Sequence, residues 1–282
     1  MSAIYQTITD SIIKQLEAGV APWKQPWFSK ATIVSYATGR PYSLLNTLLL
    51  GRNGEYATWN QIIAAGGKVM KGAKGHRVYF WKPVEKIETD AEGNEVKTLR
   101  PMLRAYTVFN IMDCVGILPK WQVKRPDTPE IELADNAEKV ITSYINRTGV
   151  ALRRDAINEA YYSPRRDLIA VPSKNDFSDA ARMYGVIFHE LVHSTGAENR
   201  LKRFGNDACE HMFGSESYSK EELVAELGSA MALGLLGIGN SGSLSQSSAY
   251  VASWLKALKN DSSLIIKASS LAEAAVKYIF GE

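Results

Sequence analysis

The sequence predicts an α+β protein of two domains: a mixed α/β domain over 1–125 and a mostly helical domain with a small β-sheet over 126–282. Three observations carry this. The 282 residues suggest about two domains at ~150 residues each. The net charge of +3 conceals a basic first part, with 17 Lys+Arg against 9 Asp+Glu in 1–125, and an acidic second part with 16 against 21. Short strand and helix patterns alternate in the first part, whereas long helical periods dominate the second. The boundary falls at "VKRPDTPEIE" (123–132), where Pro126 and Pro129 interrupt the chain and the charge changes sign.

In the first part, Ile4, Ile8, Ile12 and Leu16 recur at helical spacing and stop at Gly19. "APWKQPWFSK" is an extended Pro/Trp loop, in which each tryptophan either lids the core or stands out as a stacking platform. "SLLNTLLLGR" is a short buried helix after Ser43. Thr58 and Gln61 have capping-box spacing at the head of a helix that ends at Gly66-Gly67. "RVYFWK" and "LRAYTVFNIM" are paired strands, with a turn at 92–94. In the second part, helices are expected at about 131–148, 178–195, 219–237, 248–259 and 262–280. "AYYSPRRDLIAVP" is a short hairpin, and "NSGSLSQSS" (240–248) is a polar loop.

Composition excludes several classes. No apolar run reaches the ~18–20 residues of a membrane span. The N-terminus lacks the charged-then-apolar pattern of a secretory signal. Cys114 and Cys209 lie far apart and form no CxxC pair, which fits a reducing, cytoplasmic setting.

The chemistry concentrates in "FHELVHSTG" (188–196). On a helix, His189 and His193 share one face at i, i+4, so both imidazoles can reach one ion. Glu190 beside them can act as general base on a water at that ion. A catalytic zinc site takes three protein ligands. The helix "YSKEELVAELGSAMALGLLG" resembles the gluzincin arrangement, in which the third ligand is a glutamate on a second helix. That match implies Glu222 as ligand and Glu226 as the group holding a ligand histidine, although Glu226 stands where Asp or Asn is usual. Glu221, ~100° round the helix from Glu222, is expected to be exposed. His211 and Tyr218 are candidates to stabilise an oxyanion or are a loop His and a packing Tyr. Arg200 and Arg203 could anchor the loop, meet substrate or be solvated.

The basic part has its own signature. From Tyr56 to Val84 no acidic residue occurs, while Lys68, Lys71, Lys74, Arg77 and Lys82 do. Glycines among these cations let backbone amides approach phosphate. Strand alternation separates Val78, Phe80 and Lys82 from Tyr79 and Trp81. One set could enter the core while the other stacks on unpaired bases, as in single-strand binders. An ordinary domain with a basic surface is the alternative.

Taken in order, "APWKQPW", "RPYSLLN", "YATWNQI", "GGKVMKGAKG", "YTVFNI", "HELVHSTG", "NRL", "YSKEELVAELGSA" and "AYVASWLKAL" resemble the ArdC type of plasmid-borne antirestriction protein. The resemblance spans nearly the whole chain. It implies an N-terminal single-stranded-DNA (ssDNA) binding domain and a C-terminal zincin-like, gluzincin-type metallopeptidase domain. It also implies a Zn²⁺ site, or one for another divalent ion such as Mn²⁺, and a cytoplasmic protein, transferable to a recipient cell with conjugating DNA, that protects incoming DNA from host restriction. Trp23, Trp27, Tyr42, Asn46, Trp59, Lys71, Lys74 and Arg77 are the candidate DNA contacts carried over from it. Ser194 departs from the aromatic common after the second histidine, and "FNIMDCVGI" lacks an expected glutamine. Three uses stay open: a passive ssDNA-binding antirestriction protein, a DNA-recruited zinc metallopeptidase that cuts a restriction enzyme or another DNA-bound protein, and a partner-binding module with a structural metal.

Overall fold

The computed structural model describes residues 3–24, 33–89, 95–121, 130–157, 159–204, 216–239 and 248–282. The chain is α+β, and packing divides it into two units. One contains Met1–Thr32, Pro41–Asn53 and Val123–Glu282; the other contains Ile33–Arg40 and Gly54–Gln122. These units interleave along the chain.

The helical unit begins with α1 (Ala3–Glu17) and α2 (Leu44–Leu50). The stripe of α1 buries Ile8, Ile12 and Leu16 as its spacing predicts. Thr9 Oγ1 donates to the Ser262 carbonyl at 2.7 Å, and the amide of Leu44 at the head of α2 donates to Glu273. These bonds join both helices to distant C-terminal segments, which is why sequence order and packing diverge. The Ser43 side chain caps α2, and Gly51 closes it at φ 62°, a left-handed conformation that favours glycine.

The rest of this unit comprises α4 (Glu130–Thr148), strands β7 (Ala151–Ala156), β8 (Tyr161–Ser163) and β9 (Leu168–Pro172), then α5 (Ala180–Ser194), α6 (Glu216–Leu236), α7 (Ser248–Asn260) and α8 (Leu264–Phe280). The sheet order is β7-β9-β8. The β8–β9 hairpin matches the sequence reading. Strand β7 was not expected: "ALRRDA" has little apolar alternation, and it pairs in parallel directly with β9, leaving β8 on the far side of β9. Helix α6 packs on α5 and α8 and buries Leu223, Val224, Ala225, Leu227, Ala230, Ala232 and Leu233. Phe188 of α5 stacks on Phe280 of α8.

The second unit holds a sheet of order β1-β2-β5-β4: β1 (Ile33–Ser35), β2 (Gly54–Thr58), β4 (His76–Thr89) and β5 (Glu95–Asn110). Between these run α3 (Trp59–Ala64), with the reciprocal Thr58–Gln61 capping box the sequence predicts, and the short pair β3 (Lys68–Val69) and β6 (Cys114–Val115). Tyr36, Ala57, Ile62 and Ile111 form its core, with Val69, Phe109, Cys114 and Ile117 against them. The buried Glu55 carboxylate accepts the amides of Lys120 and Trp121 at 2.9 and 2.7 Å, fastening the end of this unit. The expected turn at 92–94 and most of the loop at 240–248 lie outside the described residues. Among the described residues no helix is long and apolar enough to cross a membrane.

Candidate metal centre and nucleic-acid surface

Helix α5 starts at Asp179, whose side chain accepts the Arg182 amide at 2.8 Å. Ten of its residues are then buried, and His189 and His193 face Glu222 of α6 with only 12% and 13% of their side chains exposed. The two helices approach closely. A Cβ on Gly228 would stand 2.7 Å from Val192 Cγ2, and Ser229 Oγ donates to the Gly185 carbonyl at 2.7 Å. Small residues at the crossing bring the α6 carboxylates within reach of the α5 imidazoles.

His189 Nε2 and His193 Nε2 are 3.1 Å apart. The two oxygens of Glu222 lie 3.5 Å from His189 Nε2 and 3.3 Å from His193 Nε2. Ligand atoms from these three residues all fall within 4.8 Å of one another. Two donors ~2.1 Å from one tetrahedral ion stand ~3.4 Å apart, so the spacing and the N₂O donor set fit a divalent cation. The pocket favours positive charge. Burial opposes charge on His193, yet Glu221 and Glu222 outweigh it and hold the imidazole up to about 10. His189 is raised in the same sense, burial being outweighed by Glu222. The Glu222 carboxyl is held well below its ordinary value because hydrogen bonds from both histidines overcome its burial. A buried carboxylate facing two imidazoles has the charge and the lone pairs that a divalent ion needs.

Glu190 is 7% exposed and on the same helix. Burial raises its carboxyl, with His189 and His193 opposing. That direction suits a general base, whose proton affinity must rise towards the working pH.

Glu226 is 2% exposed, and its Oε1 lies 3.7 Å from His189 Nδ1, within ion-pair reach but beyond hydrogen-bond length. Glu221 corrects the sequence reading: it is nearly buried, at 12%. Its Oε1 lies 3.3 Å from His193 Nδ1, while Arg203 grips both its oxygens. The second face of α6 is covered by the 195–204 segment, which helix periodicity alone does not reveal. Arg203 also donates to Thr195 Oγ1 and the Val192 carbonyl, each at 2.6 Å. Arg200 donates to Asp167 and to the Ser194 carbonyl, tying the end of α5 to the β8–β9 turn, where Asp167 adopts φ 46°. Both arginines are therefore anchors of this segment. Ser194 is fully buried, 2.7 Å from the Tyr144 hydroxyl, which burial pushes up to about 12. A tyrosine from α4 thus approaches the position where an aromatic was expected. His211 and the Tyr218 side chain lie outside the described residues.

The eight candidate DNA contacts do not form one group. Trp23 is fully buried and packs edge-on to Trp254 at 5.7 Å, and Asn46 is fully buried in the same helical unit. Neither offers a surface to a base or phosphate; the 3-10 turn at Pro22–Lys24 carries the indole of Trp23 into the core. Tyr42 is half-buried in that unit, and Trp27 lies outside the described residues. Trp59 is 51% exposed, and Lys71, Lys74 and Arg77 are exposed, all in the sheet unit. The expected alternation on β4 is also revised. Val78 and Tyr79 are both buried, whereas Phe80 (42%) and Trp81 (51%) are both exposed. Burial falls along the strand instead of alternating, because β2 pairs with β5 only at 108–110 and the β4–β5 ribbon continues past that point.

Two family models match this chain: the N-terminal domain of anti-restriction factor ArdC over residues 2–109, and a zincin-like metallopeptidase domain over 138–271. The metal-free crystal structure of antirestriction protein ArdC from plasmid R388 is 32% identical, with TM-score 0.77, covering 99% of this chain and 97% of that one. Its Mn(II)-bound form matches at 32% identity with TM-score 0.76 over the same shares. The uncharacterised protein y4eC of Sinorhizobium fredii (strain NBRC 101917 / NGR234) is 32% identical over 99% of this chain and 92% of its own length. A DNA primase TraC of Escherichia coli is 33% identical over 98% of this chain, which spans 20% of the primase. A zincin-like domain and a Mn(II)-bound relative support a divalent metal.

Proposed function

Since the chain belongs to the ArdC antirestriction family, we propose that it binds ssDNA through its basic sheet unit, holds a divalent metal at His189, His193 and Glu222, and shields plasmid DNA from host restriction. The observation that carries the metal part is the convergence of those three side chains from two helices. The DNA part is supported by the acid-free stretch 56–84 and its exposed Trp59, Lys71, Lys74 and Arg77.

A divalent ion at this site would supply Lewis acidity and polarise a carbonyl oxygen. The protein's own residues do the rest. Glu222 and the histidines fix the donor geometry, Glu221 and Arg203 fix the His193 ring, and Glu190 takes up a proton beside it. This arrangement favours a second reading, a metallopeptidase brought to DNA that cleaves a DNA-bound or restriction-related protein.

Glu190→Gln separates the readings, because it removes the base and leaves the three donors. If protection of transferred DNA persists with metal and ssDNA bound, the coating role stands and proteolysis is dispensable. Loss of protection with both ligands still bound favours the peptidase. For ssDNA itself, affinity must fall steeply with salt; binding no tighter than that of an unrelated basic protein overturns the coating role.

A further inference from the structure

Resting on the ssDNA reading above, we propose that the DNA contact is centred on one face of the β4–β5 ribbon, built by Phe80, Lys82, Arg104 and Tyr106. Arg104 and Tyr106 played no part in the sequence reading, which had Phe80 and Lys82 only on one of two alternative strand faces. The register pairs Phe80 with Arg104, Val78 with Tyr106 and Lys82 with Met102. Directly opposed residues on antiparallel strands share a face, so these six side chains form one rank. Val78 buries the inner end. Phe80 and Met102, 42% and 46% exposed, and the exposed Lys82 and Arg104 form the outer part.

The rank alternates rings and cations. Phe80 and Tyr106 meet edge to face with centroids 5.9 Å apart, and Lys82 Nζ lies 5.6 Å from the Tyr106 centroid. An open depression of about 470 Å³ is lined by Lys82, Pro83, Val84, Arg104, Ala105 and Tyr106. No carboxylate occurs in residues 78–84 or 101–108, so the depression is cationic. An exposed ring packed on a second ring, beside two cations, matches a nucleotide with an unpaired base and a flanking phosphate. A duplex keeps its bases stacked and has nothing for the rings to receive. An acidic protein loop would satisfy the cations but leave the aromatic pair without a counterpart.

The test uses the full chain with a fluorescein-labelled oligothymidylate of about 16 nucleotides, followed by anisotropy. Phe80→Ala with Tyr106→Ala should lower affinity about tenfold or more. Lys82→Ala with Arg104→Ala should make the salt dependence shallower by about 1.4 in log–log slope, at ~0.7 per lost phosphate contact. Circular dichroism and the urea midpoint check that each variant is folded. In parallel, an oligonucleotide carrying 5-iodouracil is cross-linked to unmodified protein, which needs no variant to fold. Cross-links within 78–84 and 101–108 support the site. Wild-type binding with cross-links confined elsewhere, or with folded variants of unchanged affinity, overturns the site but leaves the ssDNA reading standing; the face would then serve a protein. Failure of the wild-type chain to bind the oligonucleotide overturns both.

Discussion

Arg203 donates to both oxygens of Glu221, at 2.7 and 3.2 Å, and the same carboxylate sits 3.3 Å from His193 Nδ1. Glu221 is held below its ordinary carboxylate range: burial pushes it up, but bonds from His193 and Arg203 more than offset this. The carboxylate is therefore an acceptor for the Nδ1 hydrogen, which leaves His193 Nε2 for an ion. Glu221→Ala should weaken divalent-metal affinity ~10–100-fold. Calorimetric titration with Zn²⁺ or Mn²⁺ checks this. ssDNA affinity should not change. Unaltered metal affinity in a folded Glu221→Ala protein would show that the contact is only structural.

The approach of α5 to α6 depends on Gly228. A Cβ there would stand 2.7 Å from Val192 Cγ2, so a larger side chain must push Val192 or the helices apart. Gly228→Val should cost about 1–3 kcal/mol by overpacking. It should also loosen metal binding, because Glu222 lies about 1.7 turns earlier on the same helix. Urea unfolding read alongside metal titration separates the effects. A variant that binds metal normally at reduced stability would mean that local repacking absorbs the strain.

Trp23 tests the revised assignment of the Pro/Trp loop. As a fully buried ring against Trp254 it should behave as core. Trp23→Ala should lose about 3–5 kcal/mol of stability, and the folded fraction should retain its oligonucleotide affinity. A stable Trp23→Ala protein with impaired ssDNA binding would restore Trp23 as a DNA contact.

Acid sensitivity should be read at Glu138. Arg154 grips its carboxylate with bonds of 2.8 and 2.7 Å, joining α4 to β7. Burial raises this carboxyl, but Arg154 and Tyr184 outweigh it and the net shift is downward. A lowered folded value means the stabilisation is complete above the ordinary 4.5 and is lost as pH falls through the lowered value. Both side chains are about a third exposed, at 33% and 38%, so solvent screening limits the contribution to about 0.5–1 kcal/mol. Urea midpoints at pH 7 and pH 3 should converge between wild type and Glu138→Gln at the lower pH. A constant gap at both pH values would rule the pair out as the source.

What could be read from sequence was local. The i, i+4 histidines share a face because an α-helix repeats every 3.6 residues, and the Thr58–Gln61 box needs only one turn of chain. The α6 helix was legible from the largely apolar run between Leu223 and Leu236, interrupted by Glu226 and Ser229, and the β8–β9 hairpin from its turn. By contrast, β7 pairs with a strand beyond its neighbour, and nothing in "ALRRDA" announces that partner. The placement of Glu221 depended on a segment folding back over α6, and the exposure of Phe80 on where β2 stops pairing with β5.

The sequence by itself determined the α+β class, the positions of most helices, the two-histidine face and the basic character of the 56–84 stretch. Only the tertiary structure decided that α1 and α2 pack with the C-terminal helices, that Trp23 and Asn46 are core, and that Glu221 stands beside His193. The physical reason is range. Helix periodicity, capping and charge runs are set by residues a few positions apart. Burial of a given face is set by whichever distant segment covers it, and here those segments lie tens to hundreds of residues away.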